Sequence, residues 1–500
     1  EVLSHLKDQE AAFLIRTAPL TRMCGSLCDA VLGRTDSAAM LDSLERSTGF
    51  VMALNGPGHW YRCHNMLHAM LAQELEHREP GTIPALHRRA AEWYEHNEES
   101  EDAIEHAFAG GDLEHAARLV AACQLDVYQD GRLEALGGWL AQIDQPGLLE
   151  RHPMIASWGA WTHGLSGHPA EAARWAEKAE HESGTREPGT REPGHVSATI
   201  EPCQATLRVS MCRHGAERMR AEAERALELI PPWSCWRSTA SMLLGVSLVL
   251  CGADDRADEV LSDATVVAEN MGMHDDHSIC LAKRSLLAAA RRDFRGAERF
   301  AQKASQVVRD AGLEDYATSA VTYVALMRVA LHRRDLPRAE EEFARADRLR
   351  PRLTWFMPTF ASRVRLELVR YRLATADAAG ARMLLQEVDH LLRQFPSLGV
   401  LNEQAAQLRG QVEQMSSFSV DAAVLTGAEQ RVLSLLCTHL TIGEIAERQF
   451  VSRATVKTQA ISIYRKLNVT SRSEAVQRAA DIGLVDSAVV PPPRDFHPSG

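Results

Sequence analysis

Between residues 133 and 395 apolar positions return every three or four residues, separated by helix-forming Ala, Glu and Arg. The helices predicted there come in a repeating register. A turn followed four residues later by Ala recurs at His168 and Ala172, Ala253 and Ala257, Asp293 and Ala297, Asp335 and Ala339, and Asp377 and Ala381. A large apolar residue such as Trp175, Val260, Phe300 or Leu384 stands next. The later steps are 40, 42 and 42 residues, a period that suits helix pairs stacked in a solenoid, each small Ala letting two helices approach and each large residue filling the gap. An irregular helical bundle is the alternative for the same pattern. The repeat is interrupted by "GTREPGTREPG" over 184–194, where Pro and Gly cannot continue a helix, so an exposed loop is expected.

Residues 1–80 read differently. Helical patterns over 3–16, 21–32 and 38–47 precede "FVMALNGPGHWYRCHN", two short apolar runs joined by Gly56, Pro57 and Gly58, a hairpin signal, and a further helix over 64–76 follows. Helices plus a hairpin make a winged-helix pattern. The hairpin carries only Arg62 as a full positive charge, so it suits packing against protein better than contact with DNA. His64 and His68 lie one helical turn apart beside Cys63, but no third ligand accompanies them and no metal site is expected.

The expected fold is mainly α: a winged-helix-like segment at 1–80, a helical connector at 81–132, a tetratricopeptide-like (TPR-like) α-solenoid at 133–415, a linker at 416–424, a four-helix module at 425–485 and a disordered tail at 486–500. No apolar run reaches about 18 residues, so no membrane span is expected. Ten cysteines are scattered with no C-x-x-C pair, which points to reduced thiols and a cytoplasmic protein. The sequence opens at Glu1 without Met or a signal-like segment, so a further upstream region is expected.

Charge changes the picture at the C-terminus. The chain carries a formal charge of -12, yet residues 425–485 hold eight Lys/Arg against five Asp/Glu. The strip "FVSRATVKTQAISIYRKLNV" contains two of the six lysines and no acid. Thr426 with Glu429, Thr441 with Glu444 and Ser471 with Glu474 are S/T-x-x-E capping boxes, and Ser452 can cap a fourth helix. Helices therefore begin near 426, 441, 452 and 471, and the short gap between the second and third is helix-turn-helix spacing. On the third helix Val456, Ala460, Ile463 and Leu467 form one apolar stripe, opposite Ala454, Lys457, Thr458, Ile461 and Arg465. A helix of this shape fits the major groove. Arg453, Lys457, Arg465 and Lys466 can neutralise phosphates, while Ala454, Thr458 and Ile461 allow close approach to base edges.

"LTGAEQRVLSLL", "EIAERQFVSRATVKTQ", "IYRKLNV" and "SRSEAV" together resemble the LuxR-type helix-turn-helix domain of bacterial transcription regulators. The resemblance implies that the helix from Ser452 is the recognition helix and the one from Ser471 supports dimerisation on DNA. Gly443 stands where many members have Lys, and Gln459 where many have His. "FLIRTAPLTRMCGSLCDAVLG", "ALNGPGHWYRCHNMLHAMLAQEL" and "LHRRAAEWYEHNEESEDAIEHAFAGGDLEHAARLV" are similar to the winged-helix and connector segments of the large ATP-binding LuxR regulators related to the maltose activator. That resemblance places a sensor in the solenoid and a signal-transducing ATPase upstream.

Catalytic signatures are missing from the sequence. No Lys follows a Gly, so no G-x-x-x-x-G-K-[ST] loop exists, nor any H-E-x-x-H or G-x-S-x-G. The reading is a non-enzymatic regulator that binds promoter DNA, with RNA polymerase as partner, a dimer or oligomer on DNA, an unidentified inducer or protein ligand on the solenoid, and no cofactor in this chain, ATP belonging to a longer parent. The alternative is a helical-repeat scaffold whose helix-turn-helix no longer reads DNA.

Overall fold

A computed structural model describes residues 6–54, 59–145, 147–184, 197–423, 425–438, 440–467, 469–481 and 484–485. They fall into two compact units, Glu1–Val364 with Leu391–Val400, and Arg365–His390 with Leu401–Gly500.

The first unit begins with helices Asp8–Arg16, Gly25–Leu32 and Ser37–Thr48, then strands Val51–Ala53 and Tyr61–Cys63, then helix Asn65–Arg78. The strands pair antiparallel with Met52 opposite Arg62. This is the expected winged-helix pattern; the turn at Gly56 to Gly58 lies outside the described residues. The second helix starts at Gly25 where it meets the third, and a Cβ at that position would lie only 2.7 Å from Ala38 Cβ. The hairpin is held by protein. Tyr61 donates a hydrogen bond to Asp42, Trp60 meets Trp93 edge-on at 6.1 Å, and the Arg22 guanidinium lies 4.4 Å from the Trp60 ring centre.

Helix pairs follow, among them Pro153–Leu165 with Pro169–Gly184, Trp236–Leu250 with Asp254–Asn270, His274–Ala290 with Phe294–Asp310, and Ala320–His332 with Leu336–Leu349. The register read from the sequence holds at each close approach: Ala172, Ala257, Ala297 and Ala339 are completely buried. In the first of these pairs the partner position is Gly159, where a Cβ would sit 2.4 Å from the Trp175 ring. The turns share one device. Gly252, Arg292, Arg334 and Ala376 adopt φ between 59° and 74°, a left-handed step that reverses the chain. At three of them an Asp then caps the next helix, Asp293 accepting from the Gly296 N–H at 3.0 Å, Asp335 from Arg338 at 3.2 Å and Asp377 from Gly380 at 2.8 Å. These Asp bonds favour a turn that costs a non-glycine residue about 1–2 kcal/mol.

One boundary differs from expectation. Helix Val400–Ala423 continues through 416–423, nearly all of the stretch read as a linker, so its three Ser residues do not stop the helix. The duplicated segment 185–194 and the tail 486–500 lie outside the described residues. All ten cysteines are free thiols, most of them buried.

Candidate nucleic-acid interface

Within the second unit, helices Gly427–Leu436, Ile442–Arg448, Arg453–Lys466 and Arg472–Asp481 surround a core that includes Val432, Leu436, Ile445, Val456, Ile463 and Ala479. Their starts are written in the chain. Thr426 and Glu429 close a reciprocal capping box, as do Thr441 and Glu444. The Ser452 hydroxyl accepts from the Thr455 N–H at 3.1 Å. The fourth start departs slightly: the Ser471 hydroxyl accepts from the Glu474 N–H, but the Glu474 carboxylate bonds the N–H and hydroxyl of Thr470 instead of Ser471.

The third helix buries Val456, Ala460, Ile463 and Leu467, as its apolar stripe requires. Arg453, Ala454, Lys457, Thr458, Ile461 and Arg465 are all exposed. Arg453, Lys457 and Arg465 form no ion pair among the described residues. Surface arginines elsewhere in the chain meet carboxylates, for example Arg16 with Glu79 and Arg118 with Glu95. The face is therefore cationic and uncompensated. The Thr458 hydroxyl donates to the Ala454 carbonyl at 2.9 Å, leaving its methyl and both oxygen lone pairs for an outside partner.

Lys466 departs from the expected phosphate-binding set. It lies about 100° round the helix from Arg465, and its ammonium donates to Glu429 at 2.7 Å with the side chain only 19% exposed. Ser462 donates to the same carboxylate at 2.7 Å. Burial alone would raise the Glu429 pKa; the Lys466 ammonium, the Thr426 N–H and the Ser462 hydroxyl outweigh it and hold the carboxyl at about 2. A carboxylate depressed in the fold contributes stability that is full above its unfolded value near 4.3 and drains away as pH falls toward 2. We expect about 2–3 kcal/mol of module stability to be lost over that interval. Glu429→Gln should flatten the acid limb, followed through the methyl signals of buried Ile445 and Ile463; an unchanged limb would show that this carboxylate does not control acid stability.

Sequence reasoning missed three features. Arg472 donates to the carbonyls of Leu436, Thr438 and Leu440, closing the end of the first helix, so this cation is structural. Gly443 lies under Arg453: a Cβ there would be 3.0 Å from the guanidinium nitrogens, so a bulkier residue would displace Arg453. In the turn between the second and third helices, Phe450 has φ 56° and is 96% exposed, next to half-exposed Val451. The available signal was an apolar pair in a turn, a place where polar residues are usual.

Residues 1–83 match the MalT winged helix domain, and residues 423–479 match the luxR family of bacterial regulatory proteins. Among curated relatives, the HTH-type transcriptional regulator MalT of Vibrio cholerae is 30% identical over 161 residues, 32% of this chain and 18% of the relative. The serine/threonine-protein kinase PknK of Mycobacterium tuberculosis is 25% identical over 232 residues, 46% of this chain and 21% of the relative. The matched region thus spans about a fifth of the length of these two relatives. A solved structure of a Signal Transduction ATPase with Numerous Domains, carrying a tetratricopeptide repeat sensor, from Pyrococcus horikoshii, is 14% identical with a TM-score of 0.43, covering 81% of this chain and 66% of that one. The ends of the chain are thus a MalT-type winged-helix domain and a LuxR-type helix-turn-helix domain.

Proposed function

We propose that this chain, a LuxR-type regulator of the MalT-like kind, acts in transcription by reading promoter DNA through helix Arg453–Lys466. The observation that carries the reading is the exposed face of that helix, where Arg453, Lys457 and Arg465 have no acidic partner among the described residues and small or apolar side chains lie between them. Such a face supplies the two things groove binding needs: charge for phosphates and close approach for base edges. A gel-shift of the purified chain on its own promoter region tests it, and absence of a salt-sensitive shift would favour the scaffold reading. Thr458 sits among the base readers, so Thr458→Val should change the preferred sequence by about 1–3 kcal/mol of discrimination, measured by selection from a randomised duplex pool. An unchanged preference would place Thr458 off the bases.

The remaining partners follow from this reading. Helix Arg472–Asp481 would pair two copies on DNA, RNA polymerase would be the downstream partner, and the cytoplasm the place of action. The solenoid would be the sensor. A pocket of about 900 Å³ in the first unit, lined by Arg132, Glu134, His163, His168, Tyr316 and Arg352 among others, supports a small-molecule inducer there. No catalytic step or cofactor is assigned to this chain. Lacking a phosphate-binding loop, it should bind Mg-ATP no better than a control protein; micromolar, Mg-dependent heats in calorimetry would reject that.

A further inference from the structure

A second, narrower cavity in the first unit has a chemistry of its own. Tyr128, Trp158, Trp161 and Trp236 wall it, with ring centres 5.1 Å apart for Trp158 and Trp236 and 5.4 Å for Tyr128 and Trp158, and Thr239 completes the lining on one side. The cavity has room for one water-sized group, enough for one small polar head. Behind the wall lie two adjacent buried carboxylates. Asp275 accepts from Thr318 at 2.6 Å and from the Tyr128 hydroxyl at 3.3 Å, and Asp276 accepts from Thr239 at 2.9 Å. Neither acid is ion-paired with any described residue. Two neighbouring buried carboxylates need either protons or a cation. Burial, and for Asp276 also its neighbour, raises them to about 6 and about 7, so both carboxyls keep a proton more readily than an exposed aspartate does.

The lining also holds an unpartnered donor. Trp161 is only 7% exposed, yet its indole N–H finds no acceptor among the described residues. Tyr128 and Thr239 each spend their proton on a carboxylate, which polarises the hydroxyl and leaves its lone pairs for a donor. Aromatic faces attract a cation, most strongly one stripped of its water. We propose that this cavity takes the ammonium head of a small primary amine, boxed by the rings, hydrogen-bonded to Tyr128 and Thr239, and neutralised by Asp275 and Asp276. Binding displaces the carboxyl protons. The other titratable groups facing the pair are Tyr316, Cys235 and Cys280, all held protonated by burial, while Arg284 near Cys280 is engaged by Asp258 at 2.8 Å.

The site is independent of DNA binding, and so is its test. n-Butylammonium, charged across this range as lysine is, is titrated into the full chain by calorimetry and tryptophan fluorescence beside n-butanol. The expected result is saturable one-site binding of the amine and none of the alcohol, weakened about tenfold in Asp276→Asn and again weaker near pH 5 than near pH 8. Equal binding of the alcohol, or no saturable binding of the amine to the wild-type chain, overturns the proposal whatever the variant does. Full-strength binding to a folded Asp276→Asn chain overturns the counter-charge assignment.

Discussion

Replacing Lys457 and Arg465 together by Ala should weaken binding to any duplex about thirtyfold at about 0.15 M salt and lower the salt slope by about 1.8. The magnitude follows from counterion release: each lost phosphate contact removes about 0.9 from the slope, and two such losses, extrapolated from molar salt, accumulate to that factor. The loss should be the same on random and promoter sequence, because phosphates carry no sequence information. Lys466→Met should behave otherwise. Its ammonium is committed to Glu429 at 2.7 Å, so the slope should stay and the module should lose about 2 kcal/mol, as breaking a half-buried pair leaves Glu429 without its cation. Salt titrations of the wild type and these two variants on one random-sequence duplex, with melts alongside, decide the matter. A double variant that binds with wild-type affinity and slope would remove helix Arg453–Lys466 from the interface.

Ala339→Arg should destabilise the solenoid by about 3–5 kcal/mol, the sum of overpacking and partial burial of a charge. Ala339 is completely buried on helix Leu336–Leu349 beneath Ala320–His332, so the added side chain has no space between the helices. Stacked repeats draw stability from their neighbours, and the damage should extend to the adjoining pair. The melt should fall by roughly 10 °C. Glu340→Arg, one residue along on the exposed side of the same helix, should stay within about 0.5 kcal/mol. Equal melting curves for Ala339→Arg and wild type would mean that the turn-to-Ala register does not mark the tight contacts.

What the sequence determined by itself was local. Helix starts were legible because a Thr or Ser and a Glu three residues on satisfy N–H groups within one turn, and Thr426 with Glu429 needs no other part of the chain. The solenoid register was legible because small residues at Ala297 and Ala339 must recur wherever helices approach. The exposed face of Ala454, Lys457, Thr458, Ile461 and Arg465 followed from 100° per residue. Tertiary structure decided what the side chains were used for. Lys466 reads as one more cation until Glu429, 37 residues away, is placed beside it. Arg472 reads likewise until carbonyls more than 30 residues upstream are brought to it. The ring-lined cavity unites Tyr128 with Asp275 across 147 residues. Periodicity fixes which way a residue faces within its own helix, and only the packing of distant helices sets which charge or hydroxyl it meets; both the strength of a hydrogen bond and the pKa of a buried acid depend on that meeting.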